Sequence, residues 1–142
     1  MLTVDDVNNV FSKSRIPPPK EIIMPMNTKV VVGGDGPYSN RYVLGLHKTG
    51  EDRIFLPDTS PQRTMLHEAT HNIGVVGETP TRIIAAISNA RVNYGIIPKL
   101  FKRKVKYHAD MVPPDEVPLY MKHYGLEGSG NGIRIMRLRL EE

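Results

Sequence analysis

His67-Glu68-Ala69-Thr70-His71 sets two imidazoles four residues apart, with a carboxylate just after the first. On a helix four residues advance about 400°, so His67 and His71 project from nearly the same side, one turn apart. Imidazoles so placed can share one tetrahedral Zn²⁺ at ~2.0–2.1 Å each. Glu68 lies about 60° round such a helix from His71. There its carboxylate reaches water beside the cation without ligating it, the position of a general base. With five His and eight Glu in 142 residues, random placement yields about 0.01 matches to this spacing.

Catalytic sites of this kind normally add a third protein ligand. Glu78 is the leading candidate, the only acidic residue between Glu68 and Asp110. It follows Gly74 and Gly77, which permit the sharp reversal that would bring its carboxylate back. The same position favours the start of a following helix through its charge. His108, Asp110 and His123 are held in reserve as ligands. One of these, or Tyr94 or Tyr107, is available to stabilise the oxyanion of a tetrahedral intermediate, and spacing does not select among them. His47 reads as an exposed strand-end residue.

The motif needs a helix, and the flanking residues supply one. Ser60 reads as its N-cap and Pro61 as its first residue. Met65, Leu66, Ala69 and Ile73 form an apolar stripe, and Gly74 is the stop. Thr79-Pro80 opens a second helix the same way, with Ile83, Ile87, Ala90 and Tyr94 as its predicted buried face. Upstream, Thr3 with Asp6 three residues on predicts a capped helix over 3–14, ended before Pro17-Pro18-Pro19. Residues 21–57 turn to β: Ile22–Met24, Lys29–Val32, Tyr42–Leu46 and Ile54–Leu56 are short runs of strand-forming residues. Gly33–Gly36 is a turn, and the break at 48–52 predicts a hairpin joining Tyr42–Leu46 to Ile54–Leu56. Downstream come a basic segment from Pro98, a Pro-marked loop, a short helix Leu119–Tyr124 and a final strand Ile133–Leu140. The order predicts one α+β domain over 1–142, with the active-site helix pair at 61–95 and a basic segment and tail at 98–142.

Composition narrows the chemistry. The chain has no Cys, which excludes disulfides, thiolate ligands, iron–sulfur clusters and cysteine nucleophiles. No run approaches the ~20 apolar residues that span a bilayer. The N-terminal segment lacks the basic and apolar regions of a secretory signal, so the expected compartment is the cytoplasm, without membrane attachment. The net charge of +4 is uneven: residues 79–106 hold seven bases and no acid. Lys99, Lys102, Arg103, Lys104 and Lys106 crowd together, with Phe101 and Val105 between them. This is either a patch for nucleic acid or an acidic partner, or a solvated helix face.

Around the motif, over roughly residues 40–95, the sequence resembles the zincin metallopeptidases. A hairpin, the H-E-x-x-H helix and a following helix look much like the minimal core of gluzincin-type peptidases. The resemblance implies an α+β fold with a small antiparallel or mixed sheet packed against that helix pair. It implies Zn²⁺ as cofactor, His67 and His71 as ligands, Glu68 as catalytic base and acid, and hydrolysis of peptide bonds in a peptide or protein substrate. Metzincin spacing would put the third ligand at Gly77, and gluzincins usually carry it further along the second helix. The other expectation, of a different class, is a zincin-like binding protein without turnover that uses its basic 99–106 face.

Overall fold

The structure, a computed structural model, describes residues 1–95, 104–128 and 131–139. The strand β1 (Glu21–Pro25) lies inside a four-stranded mixed sheet. It pairs in parallel with β3 (Arg53–Phe55) and antiparallel with β6 (Ile133–Arg139), which pairs antiparallel with the edge strand β4 (Lys106–Met111). Alternation sends Ile22 and Met24 to one face and Ile23 to the other, and all three are fully buried. A strand covered on both faces therefore reads as a continuous apolar run.

Three helices cover the first face: α1 (Val4–Lys13), α2 (Gln62–Asn72) and α3 (Glu78–Tyr94). Val7, Val10 and Phe11 of α1 pack with Met65, Leu66 and Ala69 of α2 and Ala85 and Val92 of α3. The other face is covered by α4 (Val117–Tyr124) and the small pair β2 (Val31–Val32) and β5 (Leu126–Glu127), through Val117, Met121, Tyr124 and Leu126. No helix among the described residues is long and apolar enough to cross a membrane.

The expected start of α1 holds: Thr3 accepts from the Asp6 amide at 3.1 Å, and the Asp6 carboxylate accepts from the Thr3 amide at 2.8 Å. Elsewhere local signals are adjusted by packing. The expected hairpin shrinks to one bridge, in which Leu46 and Phe55 exchange both backbone hydrogen bonds at 2.8 Å. Ser60 does not cap α2; its hydroxyl donates to the Leu44 carbonyl, and Pro61 occupies the cap position. α3 begins at Glu78, ahead of Thr79-Pro80, because a proline in the first turn lacks only an N–H that has no helical partner. Residues 106–111, expected within the basic segment and tail, form the strand β4.

The largest correction concerns the faces of the helix pair. Ile83, Ile87 and Tyr94 are exposed and Ala90 half-buried, while Thr81, Ala85, Ser88 and Val92 are buried. α2 and α3 pack on each other, and the shared core takes Ala85 and Val92 of α3 with Met65, Leu66 and Ala69 of α2. Gln62 of α2 donates to Asn89 and Asn93 of α3 at 2.8 and 3.0 Å, pinning this rotation with polar contacts. Ile73, expected in the stripe of α2, is about half exposed at its C-terminal end.

Candidate metal centre

Helical spacing on α2 brings the rings of His67 and His71 together, centroids 4.8 Å apart and nearly perpendicular, with 3.2 Å between their Nε2 atoms. The chain then reverses over Ile73–Gly77. Gly74 and Gly77 take φ of 98° and 94°, which an L side chain resists. Glu78, the first residue of α3, is thereby returned to the two rings. Its Oε2 lies 3.1 Å from His67 Nε2 and its Oε1 3.2 Å from His71 Nε2. One ligand atom from each of the three residues lies within 4.8 Å of the others, an arrangement that could hold a metal ion. Tetrahedral coordination with bonds of ~2.0–2.1 Å sets its donors about 3.3 Å apart, close to the 3.2 Å between the two Nε2 atoms. As an acid in the first turn of α3, Glu78 also complements the helix dipole, which is compatible with its place beside the two rings.

The orientation of His71 has a local cause. Its Nδ1 is 3.0 Å from the Val75 carbonyl, which can only accept, so Nδ1 donates there and the ring is turned with Nε2 toward Glu78 and His67. Thr81 Oγ1 donates to the Gly77 carbonyl at 2.8 Å and holds the turn that carries Glu78. For His67, burial lowers the pKa; the Glu78 carboxylate opposes this, while the charges of His71 and Arg82 add to it.

Glu68 is 8% exposed. Burial pushes its carboxyl up to about 7, the charge of His71 opposing and that of Glu78 adding. A divalent cation at the triad would act in the opposite sense and favour the carboxylate. The segment 42–46 passes close to this side chain, and Gly45 makes that approach feasible. A Cβ at Gly45 would stand 2.7 Å from Glu68 Cγ and 3.0 Å from Thr64 Cγ2.

The triad stands between two open clefts. One, of about 590 Å³, is walled by His71 and Glu78 together with Glu51, Asp52 and the 74–77 turn. The other, of about 720 Å³, is walled by His67, Glu68 and Glu78 with Leu44, Arg63 and Arg82. Neither arginine was read from the sequence, although the signal was present: Arg63 precedes His67 by four residues, and Arg82 follows Glu78 by four.

None of the reserve residues joins this group. His108 and Asp110 sit on β4, at the sheet edge opposite β3, where α2 packs. Asp110 lies 3.4 Å from Arg137. His123 Nε2 contacts Glu51 Oε2 at 2.8 Å in a separate cluster with Arg53. Tyr94 is exposed at the far end of α3 from Glu78. Tyr107 is buried, donates its hydroxyl to the Pro19 carbonyl and has its pKa raised by that burial, so it is committed to the core. His47 is half-buried, not a free strand end; its Nε2 contacts the Glu51 carbonyl at 2.9 Å. Of the basic patch, Lys99, Lys102 and Arg103 lie outside the described residues, and Lys104 and Lys106 are exposed at the start of β4.

Fold and site together define an α+β protein with two histidines and a glutamate convergent enough to hold a metal ion. Comparison with protein families, with curated proteins and with solved structures finds no match to the chain.

Proposed function

We propose that the chain is a zinc-dependent peptidase of zincin-like arrangement, with His67, His71 and Glu78 as ligands and Glu68 as general base. The observation that carries this reading is the convergence of three side chains from two helices: the two Nε2 atoms lie 3.2 Å apart, and each has one oxygen of the Glu78 carboxylate at 3.1 or 3.2 Å. Two imidazole nitrogens and a carboxylate, with one position left open, form a donor set suited to catalytic zinc. Bound there, Zn²⁺ would supply a Lewis acid that lowers the pKa of water to ~7 and polarises a carbonyl.

The remaining steps fall to the protein. Glu68, held in the cleft beside His67, takes a proton from the attacking water and delivers it to the leaving nitrogen. The backbone that would align an extended peptide is residues 42–46, which line this cleft, in place of Ile54–Leu56. β3 is paired with β1 on one side and bridged by Leu46 at Phe55 on the other.

The test combines metal analysis of tag-free protein with mass spectrometry of a peptide pool. Wild type is expected to bind about one zinc per chain and to cut peptides. Glu68→Gln should keep the zinc and lose roughly 10²–10⁴-fold in rate. Metal-free protein, or a Glu68→Gln variant that cuts normally, overturns the proposal.

A further inference from the structure

The two clefts beside the triad differ in charge. The His71 cleft is walled by Glu51 and Asp52, with no Lys or Arg among its described lining residues. The His67 cleft is walled by Arg63 and Arg82. These arginines are placed by the same periodicity that places the triad. Arg63, His67 and His71 succeed one another at four-residue intervals on α2, and Arg82 follows Glu78 by one turn on α3. Both are exposed, and among the described residues neither makes an ion pair or hydrogen bond. The cations of the other cluster differ in this respect: Arg53 is paired with Glu51.

We infer that Arg63 and Arg82 bind a carboxylate of the substrate, so that the peptide enters with an acidic group on the Arg63–Arg82 side of its scissile bond. The inference rests on the peptidase reading for the identity of the ligand as a peptide. The chemistry follows from the charges. Two guanidiniums, each offering donors in a fixed fork that matches a carboxylate, line the same cleft. The Asp52 carboxylate of the opposite cleft repels the same group, so the field along the groove favours an acidic peptide in one orientation. The carboxylate can come from an Asp or Glu side chain or from a free C-terminus.

The experiment measures binding, not turnover. Three N-acetylated hexapeptides of Ala, Leu and Ser are titrated calorimetrically into zinc-loaded Glu68→Gln protein. One is neutral with a C-terminal amide, one is amidated with a single Asp, and one has a free C-terminal carboxylate. A carboxylate-bearing peptide should bind about 10–100-fold more tightly than the neutral one. Preference for the Asp peptide identifies a side chain, and preference for the free terminus identifies the chain end. Adding Arg63→Gln and Arg82→Gln, at matched zinc content, should remove the preference. Equal affinities, no measurable binding, or a preference that survives in this variant overturns the inference. Wild-type cleavage of neutral and acidic peptides at equal rates overturns the inference and leaves the peptidase reading standing. Selective binding without any cleavage does the reverse.

Discussion

The structure builds two clusters from the same ingredients and finishes them differently. Around Glu51, His123 approaches at 2.8 Å and Arg53 at 3.0 Å, with the Tyr124 hydroxyl at 3.4 Å. Around Glu78, His67 and His71 approach at 3.1 and 3.2 Å. Histidine meets carboxylate at similar range in both. The first cluster contains its own cation, the Arg53 guanidinium, which neutralises Glu51 and holds its carboxyl down at about 2. The second turns two imidazole nitrogens and a carboxylate toward one point, without an arginine or lysine in contact with Glu78 among the described residues. A charge supplied from within makes a closed ion network. Without one, the same donors are arranged so that they could hold a cation from outside.

Metal titration should separate the two clusters most sharply. His71→Ala should weaken zinc binding by more than the roughly 10–100-fold cost of losing an outer-shell partner, while His123→Ala should leave it unchanged. Equal effects, read by calorimetry against a competing chelator, would erase the distinction. In thermal unfolding, free zinc at 100 times its Kd should stabilise wild type by about 2.7 kcal/mol, and chelation should reverse it. Glu78→Ala should shrink that gain, since two imidazoles alone hold the ion weakly.

Gly45→Ala sharpens the comparison from the side of Glu68. Its new Cβ meets Glu68 Cγ at 2.7 Å, and such overpacking costs about 1–3 kcal/mol. Peptide cleavage should fall as Glu68 shifts, with zinc content preserved; a variant that loses zinc and keeps its stability contradicts this assignment.

The smallest expected effect belongs to the closed network. Glu51 has a folded pKa of about 2 against an ordinary 4.5, chiefly because it accepts a hydrogen bond from Arg53. A depressed carboxylate adds stability that is complete above about 4.5 and lost as pH falls toward 2. Urea midpoints of wild type should therefore drop between pH 6 and pH 3 by more than those of Glu51→Gln. The difference should not exceed about 1 kcal/mol, the range of a solvent-reached ion pair. Parallel pH dependence in the two proteins would show that Glu51 contributes nothing.

Legibility in the sequence followed the range of the interactions. The capping pair Thr3 and Asp6, the run Ile22–Met24 in β1 and the shared side of His67 and His71 are consequences of neighbours within four residues or of strand alternation, and all were readable. The buried face of α3 was not. Its apolar period pointed to Ile83, Ile87 and Tyr94, whereas the buried residues are Thr81, Ala85, Ser88 and Val92. Local apolar period could not tell which way α3 is turned, because its rotation is set with α2 across the chain, where Gln62 donates to Asn89 and Asn93.

The candidate site divides along the same line. Sequence alone determined that two imidazoles and Glu68 sit on adjacent faces of one helix, because the hydrogen-bonded turn repeats every 3.6 residues regardless of what surrounds it. Tertiary structure decided that Glu78 returns to those imidazoles, that His123 turns instead to a carboxylate 72 residues away, and that His108 and Asp110 end up at the far sheet edge. Each of these depends on where whole elements come to rest, and that is set by which surfaces pack without voids or clashes, a property of the assembled core that no short stretch of chain contains.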